Sequence, residues 1–89
     1  MTTSQEVPTS RNGVLGLVRE HLAAELEIDG SRIEDGSRFR EDLEADSLDL
    51  YELVMELEDT YGIRVSEEEA VAIRTVGDAV DFVLEGLPA

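Results

Sequence analysis

The sequence contains no cysteine, no tryptophan and no lysine, and His21 is its one histidine. Without cysteine the chain cannot form disulfides, thiolate metal sites or a cysteine nucleophile. A single histidine excludes a histidine-rich metal site, so we expect no bound metal.

Long hydrophobic runs are missing too, because no stretch approaches the roughly 18 apolar residues of a membrane-spanning helix. The N-terminus has neither the cationic start nor the apolar centre of a signal peptide. We therefore expect a cytoplasmic protein without membrane insertion.

Positive charge is scarce as well. Seven arginines stand against 22 Asp and Glu in 89 residues, and the formal net charge is -15. This charge repels the phosphates of nucleic acid, so nucleic acid is not an expected partner, whereas proteins with basic patches are attracted. Acidic chains are often disordered, but 42% of these residues are hydrophobic and they recur periodically, which favours a fold. The length allows one domain, which we expect to be a monomer.

The apolar spacing predicts an all-α fold, a small four-helix bundle with three longer helices, a short third helix and a long first loop. Strand signals are weak. Residues 1–10 are predicted to form a flexible N-terminal tail, and residues 11–87 the folded domain. The expected helices, the first with Asn12 as candidate N-cap, are Asn12–Leu26, Ser47–Tyr61, Glu67–Ile73 and Val76–Leu84. The expected buried positions of the first helix are Leu15, Val18, Leu22 and Leu26.

The long loop and the helix starts carry local signals. The segment Asp29-Gly30-Ser31-Arg32-Ile33 is echoed by Asp35-Gly36-Ser37-Arg38-Phe39. We interpret these segments as two successive turns that direct Ile33 and Phe39 into the core. Asp29-Gly30, at the start of the first turn, is also the signal that ends the first helix. A loop this long is often functional. Each later helix has a capping acceptor and an acid three residues on, which predicts capping boxes at Asp46 with Asp49, Ser66 with Glu69, and Thr75 with Asp78.

The second helix is apolar on two faces. One face has the spacing of a buried stripe and comprises Leu50, Leu53, Val54, Leu57 and Tyr61. The other side carries Leu48, Tyr51 and Met55 among acidic residues, and nine acids but no base lie between Glu41 and Asp59. This second stripe is typical of a docking surface for a basic partner. Scattered exposed hydrophobic residues beside a solvated acidic face are the alternative interpretation.

Ser47 is expected at the first position of the second helix, after the N-cap Asp46. Free backbone N–H groups and the positive end of the helix dipole lie there, so a phosphate on the Ser47 hydroxyl would be stabilised. From these residues alone, a serine that only helps to cap the helix is the simpler interpretation.

The segment from Phe39 to Asp49, Phe-Arg-Glu-Asp-Leu-Glu-Ala-Asp-Ser-Leu-Asp, resembles the modification motif of acyl carrier proteins. The similarity continues through Glu52-Leu53-Val54-Met55 and Thr75-Val76, and covers about residues 15–83. The resemblance implies that Ser47, flanked by Asp46 and Leu48, carries 4'-phosphopantetheine derived from coenzyme A. It implies partner contacts at Leu48, Glu52, Met55, Glu58 and Asp59, with Tyr51 in the same stripe. It also implies an acyl-chain pocket lined by Val54, Leu57, Ala70, Ile73 and Ala79.

The implied function is that of a carrier for dissociated fatty acid synthesis. The implied partners are a phosphopantetheinyl transferase and the acyltransferase, ketosynthase, reductase and dehydratase enzymes, docked through basic patches. A polyketide or other specialised pathway, or an unmodified acidic adaptor, are the alternatives. An enzyme is not expected, since Ser47 lacks the Gly-x-Ser-x-Gly elbow and His21 reads as a half-exposed helix residue. A calcium loop is not expected either, because Arg32 and Ile33 occupy its middle.

One position departs from the family motif. Acyl carrier proteins often have glycine where this chain has Glu44, just before Ala45-Asp46-Ser47. Glycine permits backbone angles that are costly for glutamate. We therefore expect either a slightly different loop or an ordinary negative φ at Glu44.

Overall fold

The computed structural model describes residues 7–87, and this part of the chain is all-helical. The four α helices are α1 (Arg11–Leu26), α2 (Ser47–Tyr61), α3 (Glu67–Ala72) and α4 (Val76–Gly86), and a 3-10 turn spans Gly30–Arg32. The predicted ends of α3 and α4 were wrong by one and two residues. Between residues 7 and 87 there is no strand, only an isolated antiparallel bridge from Arg38 to Thr75. None of the helices between residues 7 and 87 combines the length and the hydropathy of a membrane span.

The first helix begins earlier than predicted. Ser10, and not Asn12, is its N-cap, and the Ser10 hydroxyl accepts a hydrogen bond from the Gly13 N–H at 3.1 Å. Serine and asparagine cap helices about equally well, so the sequence did not separate the two positions. Of the predicted tail, residues 1–6 lie outside the described residues. The helix ends before Asp29-Gly30, because Glu27 adopts a left-handed conformation and its N–H bonds the Ala23 carbonyl.

The core is assembled from three helices and the long loop. In α1 the fully buried residues are Val14, Val18 and Leu22, while the predicted Leu15 and Leu26 are only partly buried. Val14, Val18 and Leu22 are spaced four residues apart and form one row on the inner face, and Leu15 lies beside this row. The remaining buried hydrophobic residues are Ile33, Phe39, Leu43, Ala45, Leu53, Leu57, Ile73, Val76, Ala79, Val80 and Val83. Burial of Ile33 and Phe39 confirms the two predicted turns, and each contributes about 1.5–3 kcal/mol relative to exposure.

Polar contacts hold the long loop on both sides. The Arg19 Nε donates to the Ile33 carbonyl at 3.0 Å, and Arg11 pairs with both Asp35 and Asp81. Near α4, the Gly77 N–H donates to the Asp35 carbonyl at 2.7 Å. A side-chain carbon at Gly77 would lie 2.9 Å from that carbonyl oxygen, so glycine is required for this approach.

The end of the loop is a tight turn from Arg38 to Ala45. The Phe39 N–H donates to the Arg74 carbonyl at 3.0 Å, and the Phe39 carbonyl accepts from Ala45 N–H at 2.8 Å. The Arg38 side chain and backbone hydrogen-bond the Asp42 carboxylate and lower the pKa of Asp42. This turn therefore enters α2 in a defined direction.

Glu44 lies within this turn and has a φ of +57°. Of the two expectations for this position, the ordinary negative φ is wrong, because Glu44 adopts the left-handed conformation that suits glycine. Its neighbours Leu43 and Ala45 are both buried and fix the backbone on either side. The left-handed conformation costs about 1–2 kcal/mol for a residue with a Cβ, and the contacts of the turn hold it in place.

Two carboxyl groups meet between α1 and α2. A hydrogen bond with Glu52, followed by partial desolvation and the charges of Glu52 and Asp49, raises the pKa of Glu25 from 4.5 to about 7. A hydrogen bond between two carboxyl groups needs one shared proton, which is lost as the pH rises. Among residues 7–87 no three Asp, Glu or His side chains form a group that could hold a metal ion.

Glu44→Gly is expected to raise the free energy of unfolding by about 1 kcal/mol, because glycine adopts a positive φ without steric cost. Chemical denaturation of both proteins measures the difference. Glu41→Gly is the matched control, because it removes the same charge from the same exposed turn at a residue without positive φ. Equal effects of the two variants would mean that charge, and not backbone conformation, determines the result.

Glu25→Gln is expected to flatten the pH dependence of stability. The folded chain keeps the Glu25 proton up to about pH 7, whereas the unfolded chain releases it near 4.5. In this window the folded state binds more protons, so the free energy of unfolding falls as the pH rises. Denaturation midpoints at about pH 5 and about pH 7.5 should therefore differ less in Glu25→Gln than in wild type. Glu20→Gln, on an exposed position of α1, should behave like wild type; a wild-type response from Glu25→Gln would contradict the shared proton.

Candidate functional site

Ser47 is the first residue of α2 and is exposed. Its hydroxyl oxygen accepts a hydrogen bond of 2.8 Å from the Arg40 guanidinium. The predicted capping box is present: the Asp46 carboxylate accepts from the Asp49 N–H, and the Asp49 carboxylate accepts from the Asp46 N–H, both at 3.0 Å. Asp46 thus caps the helix, and the interpretation of Ser47 as a capping serine is wrong.

The electrostatic surroundings of Ser47 combine opposite signs. The backbone N–H of Asp49 holds the pKa of the Asp46 carboxyl below its usual range, so this carboxylate stays ionised at neutral pH. Positive charge near the Ser47 hydroxyl comes from the guanidinium of Arg40 and from the N-terminal end of the α2 dipole. Because a guanidinium stays protonated, Arg40 cannot act as a general base for Ser47. The arrangement suits anchoring of a negatively charged group more than catalysis.

A cavity of about 490 Å³ adjoins Ser47. All five residues predicted to shelter an acyl chain line it, namely Val54, Leu57, Ala70, Ile73 and Ala79. Two further apolar side chains of α2, Leu50 and Leu53, line it as well. Exposed charged residues complete its edge, namely Arg40, Glu41, Glu67 and Arg74. Pockets for small molecules commonly hold about 300–1,000 Å³ and are mostly apolar, so the cavity has the size and lining of a binding site. Leu50 and Val54 face it and are therefore half-buried, although the sequence placed them in the core.

The second apolar stripe of α2 is exposed as predicted. Leu48, Tyr51 and Met55 keep 63%, 55% and 63% of their surface in contact with solvent. The structure adds a residue that the sequence reasoning missed, because Val71 on α3 is 74% exposed and lines the same cavity as Tyr51. The available signal was the run Ala70-Val71-Ala72-Ile73: only Ala70 and Ile73 are three residues apart on one face, so Val71 had to lie elsewhere.

The three acids predicted to contact partners differ in their surroundings. Asp59 is exposed, whereas Glu52 and Glu58 are half-buried. Glu52 raises the pKa of Glu25 on α1, and the Glu58 carboxylate accepts a hydrogen bond of 2.9 Å from the Val65 N–H. Glu58 thereby fixes the loop between α2 and α3. The sequence could not show these two contacts, because both partners are distant from the stripe or belong to a loop.

Comparison with known proteins gives three concordant results. The family described as "Phosphopantetheine attachment site" matches residues 16–83. The acyl carrier protein of Rubrobacter xylanophilus is 49% identical over 75 residues, which are 84% of this chain and 93% of that protein. A solved structure of the acyl carrier protein from Enterococcus faecalis matches with a TM-score of 0.74 at 36% identity, covering 86% of this chain and 98% of the other. The all-helical fold agrees with the structural match, and the chain belongs to the acyl carrier protein family.

Proposed function

We propose that this chain carries acyl groups on a 4'-phosphopantetheine arm joined to Ser47 and passes them between the enzymes of fatty acid synthesis. The main supporting observation is the position of the Ser47 hydroxyl, which is exposed, is free of capping duties and adjoins an apolar cavity. The arm supplies the thiol that the chain lacks, and acyl groups are held on it as thioesters.

The residues around Ser47 fit a covalently attached phosphate. A transferase would join the serine oxygen to the phosphorus atom next to pantetheine in coenzyme A. The diphosphate linkage breaks, the nucleotide half leaves with the bridging oxygen, and a base on the transferase takes the hydroxyl proton. Exposure of Ser47 leaves room for that enzyme, and the start of α2 stabilises the negative charge of the resulting phosphodiester.

The cavity gives the cargo a sheltered position. Seven apolar side chains of the lining would exclude water from an acyl chain: Leu50, Leu53, Val54, Leu57, Ala70, Ile73 and Ala79. Transfer of each CH₂ group out of water contributes about 0.8 kcal/mol. An enzyme pocket of similar character offers the same gain, so sheltering the chain does not prevent its delivery.

The exposed stripe provides the partner surface. Leu48, Tyr51 and Met55 offer apolar contacts, and the net charge of -15 attracts enzymes with basic patches around their active-site entrances. The charge accelerates encounter, while the apolar side chains contribute most of the binding energy once water is excluded. Leu48, Tyr51 and Met55 lie on the helix that begins with Ser47, so docking through them brings the arm to the partner.

Ser47→Ala is expected to abolish transfer of phosphopantetheine from coenzyme A, because no other hydroxyl occupies this position. The unmodified purified chain is incubated with a phosphopantetheinyl transferase, and intact mass measures the addition of one arm to wild type and none to the variant. Ser31→Ala, which removes an exposed serine of the loop that precedes α2, should accept one arm like wild type.

An unchanged wild-type mass beside a modified control carrier would favour the unmodified adaptor instead.

The cargo is tested on wild-type protein recovered from cells. Straight saturated acyl groups, held as thioesters on the arm at Ser47, support fatty acid synthesis, and polyketide intermediates alone would contradict it.

Met55→Ala is expected to reduce kcat/KM of a partner ketosynthase about fivefold, since roughly 1 kcal/mol of apolar contact is lost from the interface. Val7→Ala is the matched control, because Val7 is also exposed and apolar but lies before α1. Steady-state kinetics with both loaded proteins measures the effect. Equal kcat/KM values for Met55→Ala and wild type would remove Met55 from the docking surface.

A further inference from the structure

Arg40 is distinguished from the other paired arginines by its partner. Among residues 7–87, Arg11 pairs with Asp35 and Asp81, and Arg38 pairs with Asp42. In this range Arg40 forms no ion pair, although Glu41 and Asp42 follow it directly in the chain. Its one hydrogen bond goes to the hydroxyl oxygen of Ser47, seven residues away. Four of its five N–H donors therefore have no partner in the described part of the protein.

The backbone that carries Arg40 is fixed. Phe39, its neighbour, is 1% exposed and hydrogen-bonds both Arg74 and Ala45 through its backbone. On the other side, Asp42 accepts hydrogen bonds from Arg38 and closes the turn. A long side chain that starts from a rigid turn loses less freedom when it binds, so Arg40 is suited to a defined contact near Ser47.

The charge around Ser47 leaves a role for one cation. A phosphodiester on Ser47 adds a negative charge beside the ionised carboxylate of Asp46, within a chain of net charge -15. The start of α2 offsets part of this repulsion. A planar guanidinium with free donors, already 2.8 Å from the serine oxygen, matches the non-bridging oxygens of a phosphodiester in charge and geometry.

We propose that Arg40 binds the phosphodiester of the arm and holds the first bonds of the arm at the edge of the cavity. The proposal rests on attachment at Ser47 and adds a positioning residue to it. Arg40 and Ser47 both line the cavity, so a phosphate held by Arg40 directs the rest of the arm along the cavity edge. Release of this contact frees the arm to turn toward a partner enzyme.

The test uses ³¹P NMR of the arm-loaded protein. Wild type, Arg40→Gln, Arg40→Lys and Arg74→Gln are each loaded by a transferase, and intact mass verifies one arm per chain. Arg74→Gln is the matched control, because it removes an equal charge from the same cavity edge at a residue whose side chain does not bond Ser47. Amide spectra verify that each variant is folded.

In Arg40→Gln we expect the phosphodiester resonance to move by more than its line width toward that of a short phosphopantetheinyl peptide. Arg40→Lys should give an intermediate position, because it keeps the charge without the planar fork. Arg74→Gln should match wild type, and added NaCl should shift the wild-type resonance but not that of Arg40→Gln.

Two results would overturn the proposal while leaving attachment at Ser47 intact. One is a mass gain in every variant with ³¹P resonances equal to wild type. The other is an equal displacement in Arg40→Gln and Arg74→Gln, which would show that the phosphate senses net charge alone. Absence of a mass gain in wild type, beside a modified control carrier, overturns both the attachment and the role of Arg40.

Discussion

Two hydrogen bonds between Asp46 and Asp49 decide where α2 begins, and the geometry of the site depends on that choice. With Asp46 as the cap, Ser47 has helical backbone angles and an exposed hydroxyl that no capping contact occupies. If the helix started one residue later, Ser47 would itself become the cap and its oxygen would accept from the backbone. Further along α2, Leu53 and Leu57 pack into the core, so Leu48, Tyr51 and Met55 on the other side of the helix are exposed.

The loop that precedes α2 fixes the start of this helix through its own contacts with the core. Ile33 and Phe39 are fully buried, and backbone hydrogen bonds join the loop to the connection between α3 and α4. The tight turn ends in Glu44, whose left-handed backbone is held by buried neighbours. Local strain at a functional site persists only where the surrounding structure fixes the backbone, and the pinned turn fulfils this condition. Arg40 is part of the same turn, so the contacts that fix the turn in the core also place the Arg40 backbone near Ser47.

Much of this structure could be predicted from short-range patterns. The three capping boxes, the two turns with buried Ile33 and Phe39, and the exposed stripe of α2 each depend on residues within about one or two helical turns. The first helix was less accurate, since Ser10 and Asn12 are equivalent as capping types. Contacts between distant segments were not accessible: Glu25 with Glu52, Glu58 with Val65, and Arg40 with Ser47 need the folded chain. The backbone angle of Glu44 was missed because residue preference opposed it and tertiary packing prevailed.

The short helix α3 forms one wall of the cavity. None of the residues from Glu67 to Ala72 is buried, so this helix is held mainly by its capping box and by Ile73 at its end. The opposite half of the molecule is tied firmly, since Arg11 links the start of α1 to the long loop and to α4. An outward displacement of α3 would enlarge the cavity while leaving Val14, Val18 and Val80 undisturbed. An acyl chain held in the cavity, as proposed, would therefore be accommodated by movement of these six residues, with little demand on the stability of the fold as a whole.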